Sequence, residues 1–290
     1  MSTLFSVGVW DQNLRFAEEG DVRESAAELE ELGYDALWIP DVGGDVFGAL
    51  RLLLSATNAI TIGTGVLNLW MHPAAETTAG YQGVVEETGR RPVLGIGISH
   101  APLVDAVQPG RYGRPLATTA RYLDELDSAE PPLPPEARLL AALRPKMLEI
   151  ARDRCGGAFP YHMPPEHTER ARSILGSVAR LVVEQCVVLD TDPASARDRA
   201  RDHLAMYLAL PNYVNAWRWL GFTEADVSNG GSDRLLDAVV VCGTEDAIRE
   251  RVQAQRDAGA DHVCIQALAG DPKTLREAWR SLAPALRFSN

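Results

Sequence analysis

Short apolar runs alternate with amphipathic helical stretches along nearly the whole chain, and this alternation limits the fold more than any other feature. Residues 4–9, 36–39, 60–66, 93–97, 139–143, 157–162, 181–189 and 262–267 read as eight strands. Helical stretches separate them, among them about 47–57, 74–88 and 272–286. Strands joined through helices run parallel, because a parallel pair needs a long crossover. Eight such units predict an α/β fold, a single (β/α)8 TIM barrel rather than an open sheet. The 290 residues are a length that such a barrel takes as one domain, so one domain over 1–290 is expected.

Local signals agree with this period. Asp21 is placed to cap a first helix, with Glu24 three residues on and Val22, Ala26, Leu29 and Leu32 on one face. Gly33 ends that helix and Gly259 ends a later one. Both glycines are followed by any residue, then an acid (Asp35, Asp261), then a strand, so the unit repeats. Pro165 opens a helix where its missing N–H costs little. Two stretches break the rhythm. Residues 101–137 hold Pro102, Pro109, Pro115 and a proline cluster at 131–135, and read as an insertion after strand four. Residues 205–235 carry Trp217, Trp219 and Phe222 before a Gly-rich loop. Long insertions of this kind tend to be functional.

Charge and composition narrow the function. The net charge is −12, which disfavours nucleic acid and anionic membranes as partners. No apolar run reaches the ~20 residues of a membrane span. The first residues lack the basic and apolar regions of a signal peptide, so a cytoplasmic protein is expected. Cys155, Cys186, Cys242 and Cys264 form no CxxC pair and read as reduced, buried thiols. Within 138–180 eight Arg/Lys face four Asp/Glu, a local +4 where an anionic ligand could settle.

In a (β/α)8 barrel the chemistry sits at the C-terminal ends of the strands. That rule selects Trp10 and Asp11 after strand one, Asp41 after strand two, and Gly65, Val66 and Asn68 at the end of strand three. It also selects Gly97, Ile98, Ser99 and His100 after strand four, Arg144 after strand five, and Tyr161 and His162 after strand six. Other chemistries lack their residues. The six histidines are scattered, with no HxH on strand one, and no metal is expected. There is no GxSxG elbow and no strand lysine for a Schiff base. The glycines after strand four do not make a dinucleotide fingerprint, because Pro102 and the insertion follow them. A cofactor is then the natural source of chemistry.

Four stretches carry a family resemblance: Gly33-Tyr34-Asp35-Ala36-Leu37-Trp38-Ile39-Pro40-Asp41, Ile62-Gly63-Thr64-Gly65-Val66, His72-Pro73-Ala74, and Gly89-Arg90-Arg91-Pro92-Val93-Leu94-Gly95-Ile96-Gly97. Taken in order, they resemble the luciferase-like flavin/deazaflavin superfamily, and within it the coenzyme F420-dependent oxidoreductases. The resemblance implies hydride transfer between the deazaflavin and a small organic substrate. A reduced-FMN monooxygenase is the alternative, and a barrel that has lost cofactor binding a further one. It implies a homodimer. It also implies that a non-prolyl cis peptide at the end of strand three, here Gly65–Val66, backs the ring, with Asn68 and Gly97 among the cofactor-binding residues. Ile98, Ser99, Tyr161 and His162 would line the phosphate side, the last two ahead of the helix opening at Pro165.

His100 stands where some relatives carry an acidic glutamate, and its ordinary pKa of ~6.5 suits proton transfer. Asp41 matches an acid near the ring, although capping the next helix is an equal reading. Trp10, Asp11, His72 and Arg144 would line the substrate pocket. Val42 replaces a catalytic histidine of those relatives, and Arg144 a small residue.

Overall fold

The computed structural model describes residues 7–288. The barrel is built from β1 (Val7–Trp10), β2 (Ala36–Ile39), β3 (Thr61–Asn68), β4 (Val93–Gly97), β5 (Arg138–Leu140), β6 (Gly157–Ala158) and β7 (Arg180–Leu189). A short β8 (Val240–Gly243) precedes β9 (His262–Ala267). All pairs are parallel, and the ring closes through β6–β7, β7–β9 and β9–β1. This is the eight-stranded (β/α)8 TIM barrel that the alternation predicts. The expected start of strand one at residues 4–6 lies outside the described residues.

Alternation along each strand sorts side chains into two cores. Ala36, Trp38, Leu139, Phe159, Val182 and Cys264 face inward with Trp10 and fill the barrel. Leu37, Ile39, Leu140, Leu181, Val183, Val263 and Ile265 face outward and pack under the helices. Both faces are buried, which is why the strands read as continuous apolar runs.

The repeated turn is real at the level of hydrogen bonds. Tyr34 N–H bonds Leu29 and Gly33 N–H bonds Glu30; Ala260 N–H bonds Gln255 and Gly259 N–H bonds Arg256. Gly33 (φ +88°) and Gly259 (φ +106°) take the left-handed conformation this exit needs. Asp261 then accepts the N–H of Leu181. Pro165 opens the helix Pro165–Leu175 as expected.

Four details differ from the sequence expectations. The first long helix spans Glu19–Glu31, so Asp21 lies in its first turn and Glu18 holds the cap position. β5 and β6 end earlier than residues 143 and 162, at Leu140 and Ala158. The stretch 101–137 contains two helices, Ala101–Val107 and Pro115–Asp127. β8 is additional: it pairs only with the upper half of β7, Cys186–Leu189, outside the closed ring. No described helix is long and apolar enough to cross a membrane.

Candidate functional site

The ends of β3 and β4 are laid side by side, with Asn68 opposite Gly97 and a register shift between Thr64 and Leu67. The Gly65–Val66 peptide within this bulge is cis. Trp10 Nε1 donates to the carbonyl of Gly65, so β1 holds the bulge from across the mouth. Val66 lies over Gly97: a Cβ there would come within 2.5 Å of Val66 Cγ2. Only glycine lets the two strand ends approach so closely. Val66 and Asn68 are the partly exposed residues of this shelf, and Ser99, His100, Ala141 and Tyr161 continue it across β4, β5 and β6.

Asp41 is buried, accepts two hydrogen bonds and lies beside a histidine. Arg15 Nη1 donates at 3.1 Å, the backbone N–H of Asn68 donates at 3.0 Å, and His72 Nε2 lies 3.0 Å away. Arg15 also donates to the carbonyls of Pro40 and Gly43. Asp41 therefore ties the ends of β2 and β3 together. The helix cap after Gly43-Gly44 is made by Asp45 instead, which accepts the N–H of Gly48. Neither Arg15 nor this tie is legible in the sequence.

His100 stacks near Tyr213, with ring centroids 5.1 Å apart. It holds the cap position of the helix Ala101–Val107 but makes no side-chain capping bond. Its Nδ1 is buried and has no hydrogen-bond partner. Burial pushes its pKa down to about 4, so the imidazole is uncharged at neutral pH. This replaces the ordinary value that the sequence reading assumes. Ser99 (φ +57°) turns its carbonyl to Asn212 Nδ2 at 3.1 Å, and Asn212 also donates to Tyr112. Ile98 accepts from Trp70 Nε1.

Tyr161 packs its ring against Trp10 at 5.5 Å and donates to Gln266 at 2.6 Å, with Tyr207 Oη 3.0 Å away. His162 does not line the mouth. It is fully buried in a left-handed conformation (φ +56°), with its N–H on Glu184 and its carbonyl accepting from Trp217. Its Nε2 is 3.0 Å from Nε2 of His203. Met163 and Pro164 are buried as well, so the start of the helix Pro165–Leu175 is covered and offers no open anion cradle. Burial pushes the Glu184 carboxyl up to about 8, against the His162 N–H that lowers it.

Asp11 is buried after β1 and accepts the N–H of Asn13 at 2.6 Å. Burial holds its pKa up at about 6.

The basic stretch 138–180 is mostly neutralised. Arg138 pairs with Asp127, Arg152 with Asp153, Arg154 with Asp124 and Asp127, and Arg172 with Asp261. Arg144 and Lys146 are exposed and make no ion pair among the described residues. They flank Pro145 at the start of the helix Pro145–Arg154, directly after β5. Arg144 acts on Tyr112, where its charge partly offsets the rise in pKa that burial causes. A helix N-terminus with two unpaired cations favours an anion.

Tyr112, His203, Tyr207, Asn212 and Tyr213 come from the two stretches that break the barrel rhythm or from their edges. The irregular stretches themselves are marked in the sequence, but nothing there singles out these five side chains.

A family model described as luciferase-like monooxygenase matches residues 3–262. A 5,10-methylenetetrahydromethanopterin reductase of Methanolobus tindarius is 26% identical, over 84% of this chain and 87% of that protein. A protein of Mycobacterium tuberculosis provisionally assigned as a coenzyme F420-dependent oxidoreductase is 22% identical, over 88% of this chain and 92% of that one. Among solved structures, an F420-dependent secondary alcohol dehydrogenase in complex with an F420–acetone adduct superposes with a TM-score of 0.74. At 13% identity, over 98% of this chain and 99% of that one, this is a likeness of fold.

Proposed function

The chain belongs to the luciferase-like monooxygenase family, and from that membership we propose that it is an F420-dependent oxidoreductase acting on a small organic substrate. The residues fit such a cofactor. A half-open shelf of strand ends, Val66, Asn68, Ser99, His100 and Tyr161, suits a flat ring, and Trp10 stands behind it. The buried, unpartnered Nδ1 of His100 supplies a polar anchor beside that shelf. Arg144 and Lys146 suit the anionic part of the molecule. The observation that carries the reading is the meeting of this shelf with unpaired cations after β5. When bound, the deazaflavin supplies hydride chemistry.

The chain's own residues then position and protect. Asp41 keeps the β3 end fixed through Asn68 and is buried against Arg15, so its role is positioning. His100, uncharged at neutral pH, would accept a hydrogen bond from a substrate hydroxyl once its ring turns the buried Nδ1 toward the shelf. A base with so low a pKa would take the proton of a substrate hydroxyl only as loss of hydride from the adjoining carbon makes that proton acidic, so the two transfers would be coupled at His100. Trp10, Tyr161 and Tyr213 exclude water from the shelf.

Parallel titrations with F420 and with FMN, read by absorbance and fluorescence, test the proposal. Saturable F420 binding with no comparable FMN binding is expected. FMN binding without an F420 signal overturns it in favour of a monooxygenase, and binding of neither overturns both.

A further inference from the structure

Three side chains that lie far apart in sequence meet beneath the aromatic wall of the mouth. His162 follows β6, Cys186 is on β7, and His203 is on the helix Pro193–Leu208. One potential ligand atom from each lies within 4.8 Å of the others. His162 and Cys186 are fully buried, and His203 is partly so.

A hydrogen bond between the two imidazoles accounts for their 3.0 Å approach but leaves the surroundings unsatisfied. His162 Nδ1 has no hydrogen-bond partner, and neither has Glu184 Oε1, although both side chains are fully buried. His162 Nδ1 faces Glu184 Oε2 at 3.9 Å, too far for a hydrogen bond. Moving the proton between the nitrogens of His162 does not help, because either tautomer leaves Nδ1 without a partner. Buried polar atoms in this condition call for an explanation, and an ion is one.

We propose that His162, His203 and Cys186 form a binding site for a divalent ion of the zinc class. Glu184 is the outer partner of His162, and water fills the fourth position. The site is distinct from the cofactor shelf and does not depend on the F420 reading.

Two imidazoles and a thiolate are a donor set that suits zinc, a borderline-soft ion without redox chemistry. Tetrahedral bonds of about 2.0–2.3 Å put ligand atoms roughly 3.3–3.6 Å apart, so small side-chain movements suffice. With the ion on both Nε2 atoms, the Nδ1–H of His162 points at the Glu184 carboxylate. Such a carboxylate–histidine pair orients metal-bound histidines. On binding, the Cys186 thiol gives its proton to solvent as the Sγ–metal bond forms, and no oxidation state changes. The ion would clamp the β6 loop, β7 and the helix Pro193–Leu208 together behind the mouth.

The test uses the full chain. Chelator-treated protein is titrated with Co²⁺ as the probe, and metal content is measured on protein purified without chelator. The expected result is one equivalent of zinc as purified. Co²⁺ should give the visible bands of a tetrahedral ion with a near-ultraviolet thiolate charge-transfer band. Cys186→Ser should lose the charge-transfer band, and His203→Gln should lose stoichiometric binding. Glu184→Gln should keep the site but weaken it roughly 10–100-fold. Circular dichroism establishes that each variant folds. Should Cys186→Ser not fold, His203→Gln, on the partly exposed side, decides alone. Failure to take up Co²⁺, or uptake unchanged by His203→Gln, overturns the proposal. F420 titrations run on the same samples separate failure of this site from failure of the cofactor reading.

Discussion

The buried carboxylate of Asp41 accepts the backbone N–H of Asn68 at 3.0 Å, so the last residue of β3 hangs from the end of β2. Arg15, whose side chain is 2% exposed, has Asp41 as its acid partner. Removing the acid strands a buried guanidinium, and breaking a buried pair costs about 3–5 kcal/mol. Asp41→Ala should lower unfolding stability by that order and weaken cofactor binding through the loosened shelf. Arg15→Ala should reproduce much of the effect, which chemical denaturation of the two variants would reveal.

Gly97→Ala is expected to act on the shelf alone. Its new methyl group would press on Val66. Overpacking of this kind costs about 1–3 kcal/mol. The variant should fold, with its melting temperature only modestly lower, while F420 affinity falls steeply. Normal cofactor binding by Gly97→Ala would show that Val66 is not part of the platform.

The pKa of Asp11 sets a pH dependence with a definite sign. Burial raises it from 3.8 to about 6. Between those values the folded chain holds this proton more firmly than the unfolded chain. Stability from this group therefore falls as pH rises through the window, and the penalty is complete above about pH 6. Asp11→Asn should gain about 1–3 kcal/mol over the parent near pH 7.5 and little near pH 4. Urea denaturation at the two pH values measures the difference.

His100 and His167 have the opposite dependence. Burial pushes both pKa values down to about 4 from 6.5. Their contribution to stability is present above pH 6.5 and is lost as pH falls toward 4. NMR of the imidazole nitrogens should find His100 neutral at pH 5.5. Removing His100 as His100→Ala should lower kcat by roughly 10²–10⁴, the range of a lost proton-transfer group. F420 binding should change much less. A kcat/KM profile with a limb near pH 6.5 that vanishes in His100→Ala would contradict the buried, neutral imidazole.

Arg144 is exposed and has no acid partner among the described residues, so its removal should leave stability unchanged. Arg144→Ala is expected to raise the F420 dissociation constant roughly tenfold, the loss of one charge-assisted contact. Arg144→Glu should weaken binding further and flatten its dependence on salt. Affinity that is insensitive to both substitutions would move the anionic end of the cofactor elsewhere.

Much of the barrel can be read in advance, because its determinants are local. Val, Ile and Leu runs such as 181–189, stopped by glycine, proline or an acid, mark strands whatever lies around them. The make-up of the mouth can be read too, since strand ends converge by topology. Side-chain society is not legible. His162 looks like a rim residue in sequence, yet the αL turn at that position drives it inward to His203, 41 residues on. Arg15 looks like a surface charge on a four-residue helix, yet it is enclosed by Pro40, Asp41 and Gly43. β8 is hidden because Val240-Val241-Cys242 continues the apolar pattern of the helix Asp233–Val239 without a break.

That extra strand makes the cup lopsided. β7 is ten residues long, and its upper half carries β8 as a parapet standing above the ring. The helices between β7 and β8 rest on this parapet, and none of the eight pairings that close the barrel passes through them. Residues 190–239 thus stand outside the pairings that close the ring and meet it through side chains, with Leu204 and Trp217 packed in one cluster with Cys186 and Val188 of β7. A change of length there leaves the backbone ladder of the barrel as it is.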